Sequence, residues 1–234
     1  MNILNTSVFE KLKIRPVNVN SFGNYVYCPE SKLDLTLLIE QQMEENGDCC
    51  DLNCIDVSRI TDMGNLFYGS DFNGDISRWN VSNVIDMNNM FMNSEFKGDV
   101  SNWDVHNVKY MNGMFRRTEF NGDLSKWNTG GVIDMSFMFS RTPYFNSDIS
   151  GWDVSSVNNM NNMFSYAKSF CRNISGWNVS NVMDMGCMFH KSTKFKCNLS
   201  QWNVSKVDFH DYMFEESGMD PNETMTDIFP KFKN

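Results

Sequence analysis

No apolar run in these 234 residues approaches the ~20 that a membrane-spanning helix requires. Positive charge is also scarce: 20 Lys and Arg stand against 29 Asp and Glu, leaving a net charge of -9 and a pI near 4.8. A surface of that sign does not attract phosphate backbones, so nucleic acid is not expected as a partner. Nor does it suit a basic membrane-binding face. The start, Met1-Asn2-Ile3-Leu4-Asn5-Thr6-Ser7, lacks the basic and then apolar segments of a secretory leader. A cytoplasmic or virion-associated location is therefore expected, without insertion into a membrane.

Reactive residues are few and scattered. The three histidines, His106, His190 and His210, fall in different repeats at different positions, so no pair keeps a nucleophile-and-base spacing. No glycine-rich phosphate loop lies between a strand pattern and a helix pattern. Neither an enzyme nor a cofactor is expected. The seven cysteines, at 28, 49, 50, 54, 171, 187 and 197, do not recur with the repeat. Without an export leader they are expected as reduced thiols. Cys49, Cys50 and Cys54 lack C-x-x-C spacing and a fourth ligand, and no metal site is assigned to them. Cys171 and Cys197 lie near equivalent points of adjacent repeats and read as small buried side chains.

What the chain does have is a period. Tryptophans at 79, 103, 127, 152, 177 and 202 are spaced 24, 24, 25, 25 and 25 residues apart, and Ile55 fills the same column one repeat earlier. Twelve residues after each anchor stands Phe67, Phe91, Phe115, Phe139, Phe164, Phe189 or Phe214. A period of this length marks units that bury their apolar faces against one another. The spacing Ile76-x-x-Trp79-x-Val81-x-x-Val84 is that of a leucine-rich repeat. Trp79 and Val81 alternate as on a short strand centred on 78–82, and Val84, Met87, Met90 and Phe91 follow as one helical stripe. The expected fold is an α/β solenoid, leucine-rich-repeat-like, with a parallel strand and a short helix in each of seven rungs. At ~4.8 Å per strand the sheet would be roughly 30 Å long.

The polar columns read as turn chemistry. Four residues before the anchors stand Asp51, Asp75, Asp99, Asp123, Asp148, Asn173 and Asn198; one residue after them stand Asp56, Asn80, Asp104, Asn128, Asp153, Asn178 and Asn203. Short polar side chains at such places bond nearby backbone amides. A calcium-binding ladder is the alternative, though its ligands should converge rather than alternate with amides.

The sentence W-(D/N)-V-S-x-V-x-x-M-x-x-M-F, repeated in phase from Leu52 to Phe214, resembles the BspA-like bacterial surface protein repeat, a leucine-rich-repeat relative of about 25 residues. That resemblance implies a repetitive interaction surface, often displayed on cells, without enzymatic activity.

Three regions follow. Residues 1–50 form an arm with a candidate helix Ser7 to Ile14, an extended Tyr25 to Pro29, and a capping helix from Ser31 to Gly47. Residues 51–214 carry the seven repeats, and 215–234 form a C-terminal cap or tail. Because recurring residues are accounted for by stacking, partner contacts are expected where the repeats vary. One candidate surface is the strand face, with Arg78, Asn80, Ser82, Asn102, Asp104 and Lys126. The other is a basic ridge in the loop after the helix, with Arg116, Arg117, Arg141, Lys168, Lys191 and Lys194, beside His190. The expected role is a non-enzymatic scaffold for a protein partner. The alternatives are a structural subunit of a virion or envelope assembly, and a host-directed effector or adhesin.

Overall fold

The computed structural model describes residues 18–19, 25–219 and 228–232. The candidate helix Ser7 to Ile14 lies outside them. Two-residue strands β1 (Asn18–Val19) and β2 (Tyr25–Val26) pair antiparallel and lead into the single helix found among the described residues, α1 (Lys32–Asn46). The Ser31 hydroxyl accepts from the Asp34 amide at 3.1 Å and so caps its start. Its end is set by Gly47, whose φ of 82° only glycine adopts freely and whose amide donates to Met43. Leu35, Leu38 and Ile39 are buried in the same core as the repeats.

The repeats pile on one another, but not as the expected α/β solenoid with leucine-rich-repeat rungs. Among the described residues no repeat carries a strand or a helix. Neighbouring coils meet instead at isolated parallel bridges, Asp62 to Asp86, Asp86 to Tyr110, Tyr110 to Asp134 and onward to Phe209. This column lies seven residues beyond the anchor, not at 78–82, where the chain passes through turns.

The segment expected to be helical shows why. In a helix every amide would bond within its own turn. Here the amides alternate. Met87, Asn89, Phe91 and Asn93 donate across to Tyr110, Asn112, Met114 and Arg116 of the next coil, while Met90, Met92 and Ser94 close local turns on Met87, Asn89 and Phe91. The alternation requires a left-handed residue every fourth position. Asn89 and Asn93 have φ of 54° and 57°, and the same two places are left-handed in every coil, from Asn65 and Gly69 to Tyr212 and Glu216. The apolar spacing of Val84, Met87, Met90 and Phe91 thus arises from linked turns that mimic one helical stripe.

Side chains complete the stapling. Each indole N–H donates to a carbonyl of the preceding coil: Trp79 to Leu52, Trp103 to Ile76, Trp127 to Val100, Trp152 to Leu124, Trp177 to Ile149 and Trp202 to Ile174, at 2.9 to 3.3 Å. Trp79 stacks on Trp103 at 6.4 Å, and Trp127 on Trp152 at 6.3 Å. Two phenylalanine columns run beside them. Phe91 lies 5.5 Å from Phe115 in the next coil and 4.2 Å from Phe96 in its own. Such pairs contribute roughly 0.5–1.5 kcal/mol each beyond the apolar area they bury. Gly74 keeps neighbouring backbones close, since a Cβ there would sit 2.0 Å from the Cys50 carbonyl oxygen.

Both ends are partly covered. Tyr27 adds a bridge to Ile55, and Lys32 on α1 contacts Asp62 at 2.9 Å. At the other end the Ile228 carbonyl accepts from Leu199 at 2.8 Å, Phe229 meets Phe214 edge-on at 5.1 Å, and Phe232 stacks on His210 at 4.0 Å.

Candidate functional site

The surface expected to be a strand face is a line of turns. Asp75 accepts from the Ser77 amide at 2.8 Å, and Asn80 from the Ser82 amide at 3.2 Å and its hydroxyl at 2.7 Å. The same acceptor role recurs at Asp51, Asp99, Asp123, Asp148, Asn173 and Asn198. These carboxylates and amides serve the backbone two residues on. Asp104 takes the His106 ring nitrogen at 2.8 Å, and that contact holds its carboxyl below the usual carboxylate range. Arg78 is exposed and lies 3.6 Å from Asp51. Asn102 and Lys126 are exposed at the turns 101–102 and 125–126. This face is therefore largely occupied by its own turn bonds and by one compensating ion pair.

The basic ridge divides in two. Toward the C-terminal coils, His190 Nε2 lies 3.3 Å from Glu215 and Lys191 Nζ lies 3.2 Å from Glu216. Among the described residues, His190, Glu215 and Glu216 form the one group of three metal-type ligands, and it includes none of the Asp/Asn turn columns. Lys191 already shares Glu216, so those charges balance locally. Lys168 and Lys194 are exposed and stand two or more residues further along the connecting loop than the left-handed pair of their coils.

Arg116, Arg117 and Arg141 are different. Arg117 and Arg141 occupy the second left-handed place of consecutive coils, with φ of 58° and 60°. That place is Gly69 and Asn93 in the first two coils, residues to which this conformation costs little. The Arg116 guanidinium lies 4.6 Å from the centre of the Phe137 ring, and that of Arg141 lies 4.4 Å from Tyr166. The Arg116 Nε is buried without a hydrogen-bond partner among the described residues. Burial, and after it the charges of Arg117 and Arg141, pull the Arg116 pKa down. Among the described residues no carboxylate lies within ion-pairing distance of any of the three.

Sequence reasoning gathered the cations but missed Phe137 and Tyr166, which hold two of them in place. The available signal was the recurrence of Asn and Gly ten residues after the anchors, at Asn65, Asn89, Gly113 and Asn162, and fourteen after the first two, at Gly69 and Asn93. Phe137 and Tyr166 belong to those columns, one repeat beyond Arg116 and Arg141. A groove lined by Arg59, Lys109 and the exposed Ile85 was missed as well.

A family model described as "Mycoplasma protein of unknown function, DUF285" matches residues 39–141 and again residues 116–227. The two overlapping matches fall on the repeats, and the description carries no BspA-like name. No curated protein and no solved structure matches the chain. Among the described residues no helix is long and apolar enough to cross a membrane.

Proposed function

Because this chain belongs to the DUF285 family, whose description assigns no activity, we propose from its surface a non-enzymatic scaffold for a protein partner. The partner docks on the arginine end of the ridge. The observation that carries this reading is the cluster of Arg116, Arg117 and Arg141, which no carboxylate among the described residues pairs, on a chain whose net charge is -9. Like charges held together raise the energy of the free protein, and an acidic partner relieves it. The histidines support a binding role: His106 is engaged by Asp104, His190 by Glu215, and His210 is covered by Phe232.

The test is chemical cross-linking in native extract with two variants. Arg117→Asn/Arg141→Asn is expected to lose the partner's cross-links, and Arg78→Ala/Lys126→Ala to keep them. Full retention by the first variant refutes the placement.

A second reading, a subunit of a larger assembly, is favoured by the last coil. The amides of His210, Tyr212 and Phe214, which by position would donate to a following coil, have no backbone acceptor among the described residues. Phe209 and Tyr212 beside them are 63% and 64% exposed. Light scattering coupled to size exclusion separates the readings, since a concentration-independent monomer argues against obligate assembly.

A further inference from the structure

The arginine patch has the chemistry of a specific receptor and not merely of positive charge. Arg116 and Arg117 come from one coil and Arg141 from the next, and the Arg117 amide donates to the carbonyl of Ser140, immediately before Arg141, at 2.9 Å. Two guanidiniums lie against aromatic rings at 4.6 and 4.4 Å. A ring contact restrains the guanidinium plane and leaves its N–H edges for an acceptor. The buried Arg116 Nε has no acceptor among the described residues. Lys32, Lys97 and Lys191 do find acids, in Asp62, Glu119 and Glu216.

Resting on the binding role proposed above, we infer that this patch receives a phosphoryl dianion, carried on a phosphorylated serine or threonine segment of the protein partner. A phosphate monoester presents three strong acceptor oxygens and close to two charges, so it can engage guanidinium edges from both coils together. A single carboxylate offers two oxygens and one charge, enough for one fork. A long polyanion fits less well, since each of its phosphodiesters carries a single charge and the net charge of -9 opposes its further length.

Fluorescence anisotropy on the full chain tests this, using labelled twelve-residue peptides of otherwise neutral sequence. One peptide carries a central phosphoserine, its twins carry serine or glutamate, and a twelve-nucleotide oligothymidine is the fourth probe. The phosphopeptide should bind at least tenfold more tightly than either twin and more tightly than the oligonucleotide. Arg117→Asn/Arg141→Asn should weaken it at least tenfold; asparagine tolerates the left-handed backbone, so the variant should fold. Arg117→Lys/Arg141→Lys keeps the charge without the fork and should lose severalfold. Equal binding of the three peptides, or tighter binding of the oligonucleotide, overturns the inference. Phosphatase treatment of the extract separates it from the broader reading. Partner cross-links that vanish in the arginine variant but survive dephosphorylation leave the scaffold standing and remove the phosphoryl group.

Discussion

Replacing Asn65 by alanine and, separately, by glycine gives a sharp test of the coil architecture, because turns and a helix predict opposite orders. Asn65 is exposed, has a φ of 59°, and its side chain makes no hydrogen bond among the described residues. Its amide donates to Asn88 of the next coil at 2.8 Å, and its carbonyl accepts from Tyr68 at 3.1 Å. A Cβ in left-handed backbone costs roughly 1–2 kcal/mol. Glycine pays no such penalty but loses some of the gain to its larger unfolded-state entropy. Asn65→Ala should therefore be about 1 kcal/mol less stable than Asn65→Gly. Were the segment helical, glycine would be the poorer residue by about 0.8–1.0 kcal/mol. For a chain of this size 1 kcal/mol moves Tm by about 2–4 °C, which differential scanning calorimetry resolves. A higher Tm for the alanine variant than for the glycine variant would refute the left-handed assignment, and with it the account of how neighbouring coils bond.

Two further outcomes follow from the same coils. Asp75 and Asp123, each taking first the backbone amide of Ser77 or Ser125, and Asp148 and Asp153, each taking first the Ser150 or Ser155 side chain, have carboxyls held below the usual range. A depressed folded pKa contributes stability that is present above the unfolded value of about 3.9 and is lost as pH falls through the folded value. Tm should be flat above about pH 5 and fall below about pH 4; Asp75→Asn/Asp148→Asn should flatten that fall in melts from pH 3 to 7, since Asn173 and Asn198 make the same turn uncharged. Trp127→Phe keeps most of the apolar volume but removes the indole bond to the Val100 carbonyl at 3.0 Å, leaving that carbonyl the Trp103 amide at 3.2 Å, and should cost about 0.5–1.5 kcal/mol in urea unfolding. A cost near zero would show that the indole bonds do not staple the coils.

How much was legible in the residues differs from place to place. Ser31 and Gly47 marked both ends of α1, because capping is local chemistry written in adjacent residues. The buried face was equally plain, since Trp79, Val81, Val84, Met87, Met90 and Phe91 recur at fixed spacing and all are at most 4% exposed. The backbone was not. A stripe at i, i+3, i+6 and i+7 reads as helix, yet it comes from turns whose alternate amides bond the neighbouring coil. Periodicity reports which side chains face inward, not where an N–H finds its acceptor. Asn and Gly at the left-handed places were the only hint; Phe137, Cys187 and Tyr212 interrupt the first column, and the second holds neither after Asn93.

The candidate site divides in the same way. Seven in-phase copies, the acidic balance and the gathering of cations over four successive coils follow from the order of the residues, because period and charge are properties of the string. Pairing is not such a property. Whether a cation meets a carboxylate or a ring depends on which atoms the next coil brings alongside. Only the stacked coils set Lys191 on Glu216 while placing Arg116 and Arg141 against aromatic rings and leaving them and Arg117 without an acid among the described residues.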